Sequence, residues 1–193
     1  PVVTLTLNAA EFSLTPVQTV PVVQSQNGRR MGYVFVKDMI SQVEPTLSTV
    51  MAGFRTQGIQ ELVLDLRYNG GGLVTMGGNV ASYAAGANPG AWTGFSRVYV
   101  LTGARTCSAS EQVINGLRGV GVNVVSVGDT TCGKPVGFNP VDDGWGTTYS
   151  VVNFEGVNAR NEGRYFDGLL ATCPVAEDFS RPFGDLSDPL LVA

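Results

Sequence analysis

Short apolar runs alternate with longer amphipathic stretches along this chain. Residues 31–36, 61–66, 98–101 and 122–127 are brief and strongly apolar at their centres, and they read as strands. Between them, residues 41–57, 74–85 and 109–117 read as helices. Pro45 fits a first helical turn but not a helix middle, and Gly58 suits a helix stop. The small residues of 74–85 allow close packing. This alternation predicts an α/β layer with parallel strands. Outside it, residues 2–7 alternate as a strand does. Residues 16–24 are Pro/Val-rich and extended, and Gln26-Asn27-Gly28 signals a turn. A late strand is expected at 147–154. The tail from 174 to 193 reads as loop, ending at Asp188-Pro189-Leu190-Leu191 in a helix start. No repeat or low-complexity tract interrupts the order.

Length and charge narrow the function classes. The 193 residues are enough for one domain with a substantial core. Twelve basic and sixteen acidic side chains give a net charge of −4. No basic stripe is visible, which argues against a nucleic-acid partner. No apolar run reaches the roughly 20 residues that a membrane-spanning helix needs. The chain opens on Pro1 without a signal peptide, as expected of a processed or excised piece whose targeting segment has been removed. The three cysteines do not form a zinc pattern.

The candidate chemistry starts from an absence. The chain has no histidine, which excludes a Ser-His-Asp triad within it and every histidine metal site. A serine and a lysine can replace that triad. Ser108 falls at a strand-to-helix junction, where a serine is often only an N-cap. The same place exposes its oxygen at the carboxyl end of a strand, beside a helix N-terminus that favours developing negative charge. The Ala109 amide would then face a tetrahedral oxyanion. Ser110 is the rival nucleophile, better suited to supporting the first helical turn. Lys134 follows the strand at 122–127 across the loop 128–133. A loop lysine is usually a solvated charge. A lysine amine has an ordinary pKa near 10.4, so neutrality at pH 7 costs about 4.6 kcal/mol in water. Burial away from carboxylates lowers that cost, and Gly133, Pro135 and Val136 beside Lys134 are not acidic. Gly70-Gly71-Gly72 is either a flexible turn or a close backbone approach to substrate. It is not a phosphate loop, because no Gly-Lys-Ser/Thr follows. Asp65 and Arg67 read as structural hydrogen-bonding groups, Glu111 as a favourable charge at a helix start, and Asp142-Asp143 as a solvated pair.

Three motifs together are more specific than any alone. Asp65-Leu66-Arg67-Tyr68-Asn69-Gly70-Gly71-Gly72, then Ser108-Ala109-Ser110-Glu111, then Gly133-Lys134 resemble, in order and spacing, the carboxyl-terminal processing (tail-specific) protease family. The resemblance runs from about residue 32 to residue 138. It implies an α/β, crotonase-like (ClpP/crotonase-type) core with a mainly parallel sheet flanked by helices. It implies Ser108 as nucleophile and Lys134 as general base. Ala109 and either Gly71 or Gly72 would form the oxyanion hole. No cofactor or metal is implied. The partner would be a protein or peptide with an accessible C-terminus, and the setting a periplasm or cell envelope. Residues 1–30 would be N-terminal strands and linker from the end of a removed PDZ module, and 31–193 the catalytic domain. The family pattern does not indicate an oligomeric state for this chain.

The chain also departs from the family. Many members carry a lysine-orienting glutamine four residues after the lysine, where this chain has Phe138. Asn139, Thr147 and Tyr149 are candidates to take over that role. If Ser108 and Lys134 meet, Cys107 and Cys132 approach each other as well. Buried free thiols are the ordinary expectation for them, a bridge is the alternative, and Cys173 could compete for it. Two other functions compete with the protease. A non-catalytic module on the same scaffold could hold a peptide or apolar ligand, which Phe138 favours and the retained Ser108 and Lys134 oppose. A crotonase-type acyl-CoA enzyme shares the fold but leaves the motif pair unexplained.

Overall fold

The computed structural model describes residues 5–6, 8–19, 22–24, 28–86 and 94–193. Its sheet is built on β3 (Arg30–Val36), β4 (Glu61–Asp65), β5 (Arg97–Thr102) and β6 (Val124–Gly128). These four lie side by side in chain order, all parallel. The short β11 (Cys173–Pro174) extends the parallel set beyond β6. On the other edge β1 (Val17–Thr19) and β2 (Val23–Gln24) pair antiparallel with β3. The crossovers are α1 (Val43–Thr56), α2 (Val74–Ala85) and α3 (Ala109–Gly119). The fold is thus α/β with a mainly parallel sheet, as the alternating pattern predicts.

Each central strand is apolar on both faces. From β3 to β5, Val34, Val36, Leu62, Leu64, Val98 and Val100 point to one side, where they pack with Leu47, Val80, Val113 and Ile114 of the three helices. Met31, Tyr33, Phe35, Val63 and Leu101 point to the other. That second side is covered by the C-terminal tail. Leu190 of α4 (Pro189–Val192) packs there, and the Phe183 ring stacks on Phe35 at 4.1 Å. A sheet buried on both faces requires continuous apolar runs, which is why the strands were legible.

The helix ends follow local chemistry. Pro45 lies in the first turn of α1. Gly58, at φ +67°, ends that helix, with its amide on the Arg55 carbonyl and the Ile59 amide on the Phe54 carbonyl. Asp188 caps α4 by accepting the Leu190 amide at 2.9 Å. One expectation is corrected. Instead of one late strand at 147–154, there are β9 (Thr148–Tyr149), paired with β8 (Val141–Asp142), and β10 (Phe154–Glu155), paired with β7 (Val136–Gly137). The segment folds back on itself as an exposed hairpin, so no continuous strand forms. The strand expected at 2–7 and the turn at 26–28 lie largely outside the described residues.

Candidate active site

The loops carrying the three motifs leave the same end of the sheet. They follow the carboxyl ends of β4, β5 and β6, which are neighbours in register. Parallel pairing alone therefore gathers the glycine turn, Ser108 and Lys134 at one edge, where α/β sheets commonly bind ligands.

Asn69 fastens the glycine turn to the serine loop. Its carbonyl accepts the Cys107 amide at 3.1 Å and the Ser110 hydroxyl at 3.0 Å. Its side chain donates to the Val36 carbonyl at 2.9 Å and accepts the Gly71 amide at 2.9 Å. Gly71 sits at φ +101°, against the serine. A Cβ there would lie 2.8 Å from the Ser108 Cβ and 2.9 Å from the Cys107 carbonyl oxygen, so only glycine fits. Ser110 is fully buried and spends its hydroxyl on Asn69, which removes it as a nucleophile. Ser108 holds the N-cap position of α3 at φ +57°, ψ −116°. A serine rarely adopts that backbone, and sharp turns of this kind recur at functional sites. Of the glycine amides, that of Gly71 is committed to Asn69. Those of Gly72 and Ala109 take no part in the backbone hydrogen bonds of the loops.

Glu111 is the hub. It is fully buried. Its Oε2 accepts the Ser108 amide at 2.9 Å and the Lys134 amide at 2.8 Å. Its Oε1 accepts the Gly133 amide at 2.7 Å and the Thr131 hydroxyl at 2.6 Å. One oxygen thus binds the backbone of both Ser108 and Lys134. Among the described residues no cation pairs with this carboxylate. The sequence reading gave Glu111 only a favourable charge at a helix start, and saw no acid beside Lys134. Glu111 does lie in the first turn of α3, and beyond that it accepts the Lys134 amide, bringing an acid to that loop from another element. The Ser-x-x-Glu spacing of a capping box signals only the bond to the Ser108 amide.

The lysine loop is braced from behind. The Thr131 hydroxyl accepts the Leu169 amide at 2.7 Å, and the Thr131 amide donates to the Leu169 carbonyl at 3.2 Å. Gly133, at φ +84°, backs onto the 166–168 turn so closely that a Cβ would come within 2.1 Å of the Phe166 carbonyl oxygen. Burial pushes the Tyr165 hydroxyl pKa up to about 12, aided by the charges of Glu111 and Glu155. Cys107 and Cys132 are bridged, with Cα atoms 5.1 Å apart, and Cys173 is free. The free-thiol expectation is therefore overturned for that pair, because the hydrogen bonds converging on Glu111 draw the two loops together. Cys107, Cys132 and Glu111 are also the one group of potential metal ligands among the described residues. The bridge occupies both sulfurs. Of the candidates to replace the missing glutamine, Asn139 binds Asn153 through its amide, Thr147 binds Asp143 through its own, and Tyr149 lies exposed in β9. Phe138 itself faces Lys134, with Nζ 5.2 Å from the ring centroid.

A profile of Peptidase family S41 matches residues 30–93. No match is found among curated protein sequences. Among solved structures, a candidate S41 protease from Bacteroides fragilis NCTC 9343 is 26% identical, with a TM-score of 0.82 over 94% of this chain and 57% of its own. The photosystem II D1 C-terminal processing protease is 22% identical, with a TM-score of 0.71 over 86% of this chain and 50% of its own. This chain therefore spans between half and three-fifths of the length of those structures. The profile match over residues 30–93 and the shared fold make this chain similar to S41 proteases.

Proposed function

We propose that this chain forms the catalytic core of a serine endopeptidase that hydrolyses peptide bonds near protein C-termini through a Ser108–Lys134 dyad. The observation that carries this reading is the single Glu111 oxygen that accepts the amides of both residues. In the reaction, Ser108 Oγ attacks the scissile carbonyl carbon while the neutral Lys134 amine takes the hydroxyl proton. The amides of Ala109 and Gly72 donate to the oxyanion, since Gly71 has spent its own. The tetrahedral intermediate collapses, the C–N bond breaks, and the Lys134 ammonium returns its proton to the leaving amine. Lys134 then deprotonates a water molecule, which attacks the ester; the acyl C–O bond to Ser108 breaks, and Lys134 returns that proton to Ser108 Oγ. The Cys107–Cys132 bridge supports an exported setting such as a periplasm or cell envelope, because disulfides persist in oxidising compartments.

The test is cleavage of an unstructured protein with an apolar C-terminus. The parent should cut it, and Ser108→Ala and Lys134→Ala should each lose roughly 10⁴-fold in rate while staying folded. Parent-level cleavage by either variant would remove the dyad. A folded parent that cuts nothing would turn the reading towards a ligand-holding module.

A further inference from the structure

Among the described residues, no side chain or carbonyl accepts a hydrogen bond from Lys134 Nζ, and no carboxylate pairs with it. Its neighbour is the Phe138 ring, whose centroid is 5.2 Å from Nζ. That lies inside the roughly 6 Å reach of a cation over an aromatic face. The pair is built from both ends. The Lys134 backbone is held by Glu111 at 2.8 Å. Phe138 follows β7, which pairs with β10 in a register that sets Gly137 opposite Phe154. The Phe154 ring fills the space that a Gly137 side chain would need. On either side of Phe138, the Gly137 carbonyl accepts the Asn153 amide at 3.0 Å, and the Asn139 amide donates to Asn153 Oδ1 at 3.2 Å. A ring that is only partly covered, at 37% exposure, is therefore held by its backbone.

We propose that Phe138 is a positioning residue for Lys134, whose ring holds the amine in place and stabilises the ammonium that forms as the lysine takes the serine proton. This rests on the Ser–Lys reading above. The physical basis is the negative face of the aromatic quadrupole, which attracts a cation more than a neutral amine. In the dyad reading the Lys134 amine takes its proton from Ser108, so the contact strengthens along the reaction, and that is the condition for catalysis by binding. A ring also imposes no fixed N–H direction. The amine can turn from the serine to the leaving group without breaking a hydrogen bond.

The test compares the parent chain with Phe138→Leu and Phe138→Tyr, by NMR of the Lys134 ε-methylene and by steady-state cleavage kinetics. In the parent and in Phe138→Tyr the methylene should be shifted upfield by the ring, and in Phe138→Leu that shift should vanish. Phe138→Leu should lose about fivefold in kcat with KM within about twofold of the parent, and Phe138→Tyr should recover most of the loss. A methylene signal unmoved by Phe138→Leu would overturn the proposal, as would unchanged kcat in that variant or a Phe138→Tyr rate as low as that of Phe138→Leu. Lys134→Ala separates the two levels. If it cuts as the parent does, the dyad falls and the proposal with it, even though the NMR contact stands. If it is inactive, any failure in the Phe138 series belongs to Phe138 alone.

Discussion

Asp65 and Glu111 are both fully buried, yet the two carboxylates are satisfied by opposite means. Asp65 accepts the Tyr33 hydroxyl at 2.6 Å and faces the Arg67 guanidinium at 2.7 Å. Arg67 reaches on to Asp188 at 2.8 Å and Glu177 at 3.6 Å. Burial works against the Arg67 charge, but hydrogen bonds to Asp65 and the charges of Asp65 and Asp188 outweigh it and raise its pKa. Glu111 has no such cation. It is held by three amides and a hydroxyl. An ion-pair hub tolerates modest shifts of its partners, because Coulomb attraction falls off slowly with distance. Amide donors are directional and belong to the main chain. The Arg67 hub therefore fastens the C-terminal tail to the sheet, whereas the Glu111 hub fixes where two backbone segments lie relative to each other.

That contrast can be broken in graded steps. The largest effect should come from Glu111→Ala, which leaves one buried and three part-buried donors unpaired. At about 1 kcal/mol or more each, the loss is about 4 kcal/mol or more of stability. The displaced segments should also lower cleavage about 100-fold or more under conditions where the variant is folded. Urea unfolding and single-turnover cleavage read the two effects separately, and a Glu111→Ala enzyme with full activity would strip the hub of its positioning role. Asp188→Ala should cost about 3 kcal/mol, because it takes from Arg67 a buried partner and from α4 its cap. Its cleavage rate per folded molecule should match the parent. If that rate falls as far as in Glu111→Ala, the division between the hubs is wrong. Loss of the bridge should show in both readouts, and in each less than Glu111→Ala does. Replacing Cys107 and Cys132 together by serine, or reducing them, opens a closure of sequence separation 25. Chain entropy sets that loss at about 3.5 kcal/mol at most. With Glu111 still in place, cleavage should drop only a few-fold. A complete loss on reduction would make the sulfurs, rather than the carboxylate, the link between the loops.

The order of elements was legible because this sheet is buried on both faces. Residues 33–36 and 62–64 can be apolar without a break only in such a setting, and the helix between them carries a clear stop in Gly58. The serine, the lysine and the glycine turn were legible as motifs, since each belongs to a short contiguous run. What joins them was not. Glu111 lies 20 to 23 residues from the Thr131, Gly133 and Lys134 groups that it binds, and nothing local in the sequence marks that reach. Asn69 is likewise an ordinary turn residue until its 41-residue reach to Ser110 is seen. Residues 147–154 were misread as one strand because apolar residues there and in the adjoining hairpin are exposed. Trp145 is 92% accessible, and alternation reports a strand only when one face is covered.

The backbone at Ser108 carries a consequence for how such a chain can change over generations. A residue with a Cβ at φ +57°, ψ −116° costs every folded copy about 1–3 kcal/mol, whether or not it ever meets a substrate. Glycine would escape that cost at once. A lineage released from the need to cut would therefore gain robustness by discarding the serine, and a lineage that retains it forgoes that gain. Persistence of a side chain at this one angle is a running record of use.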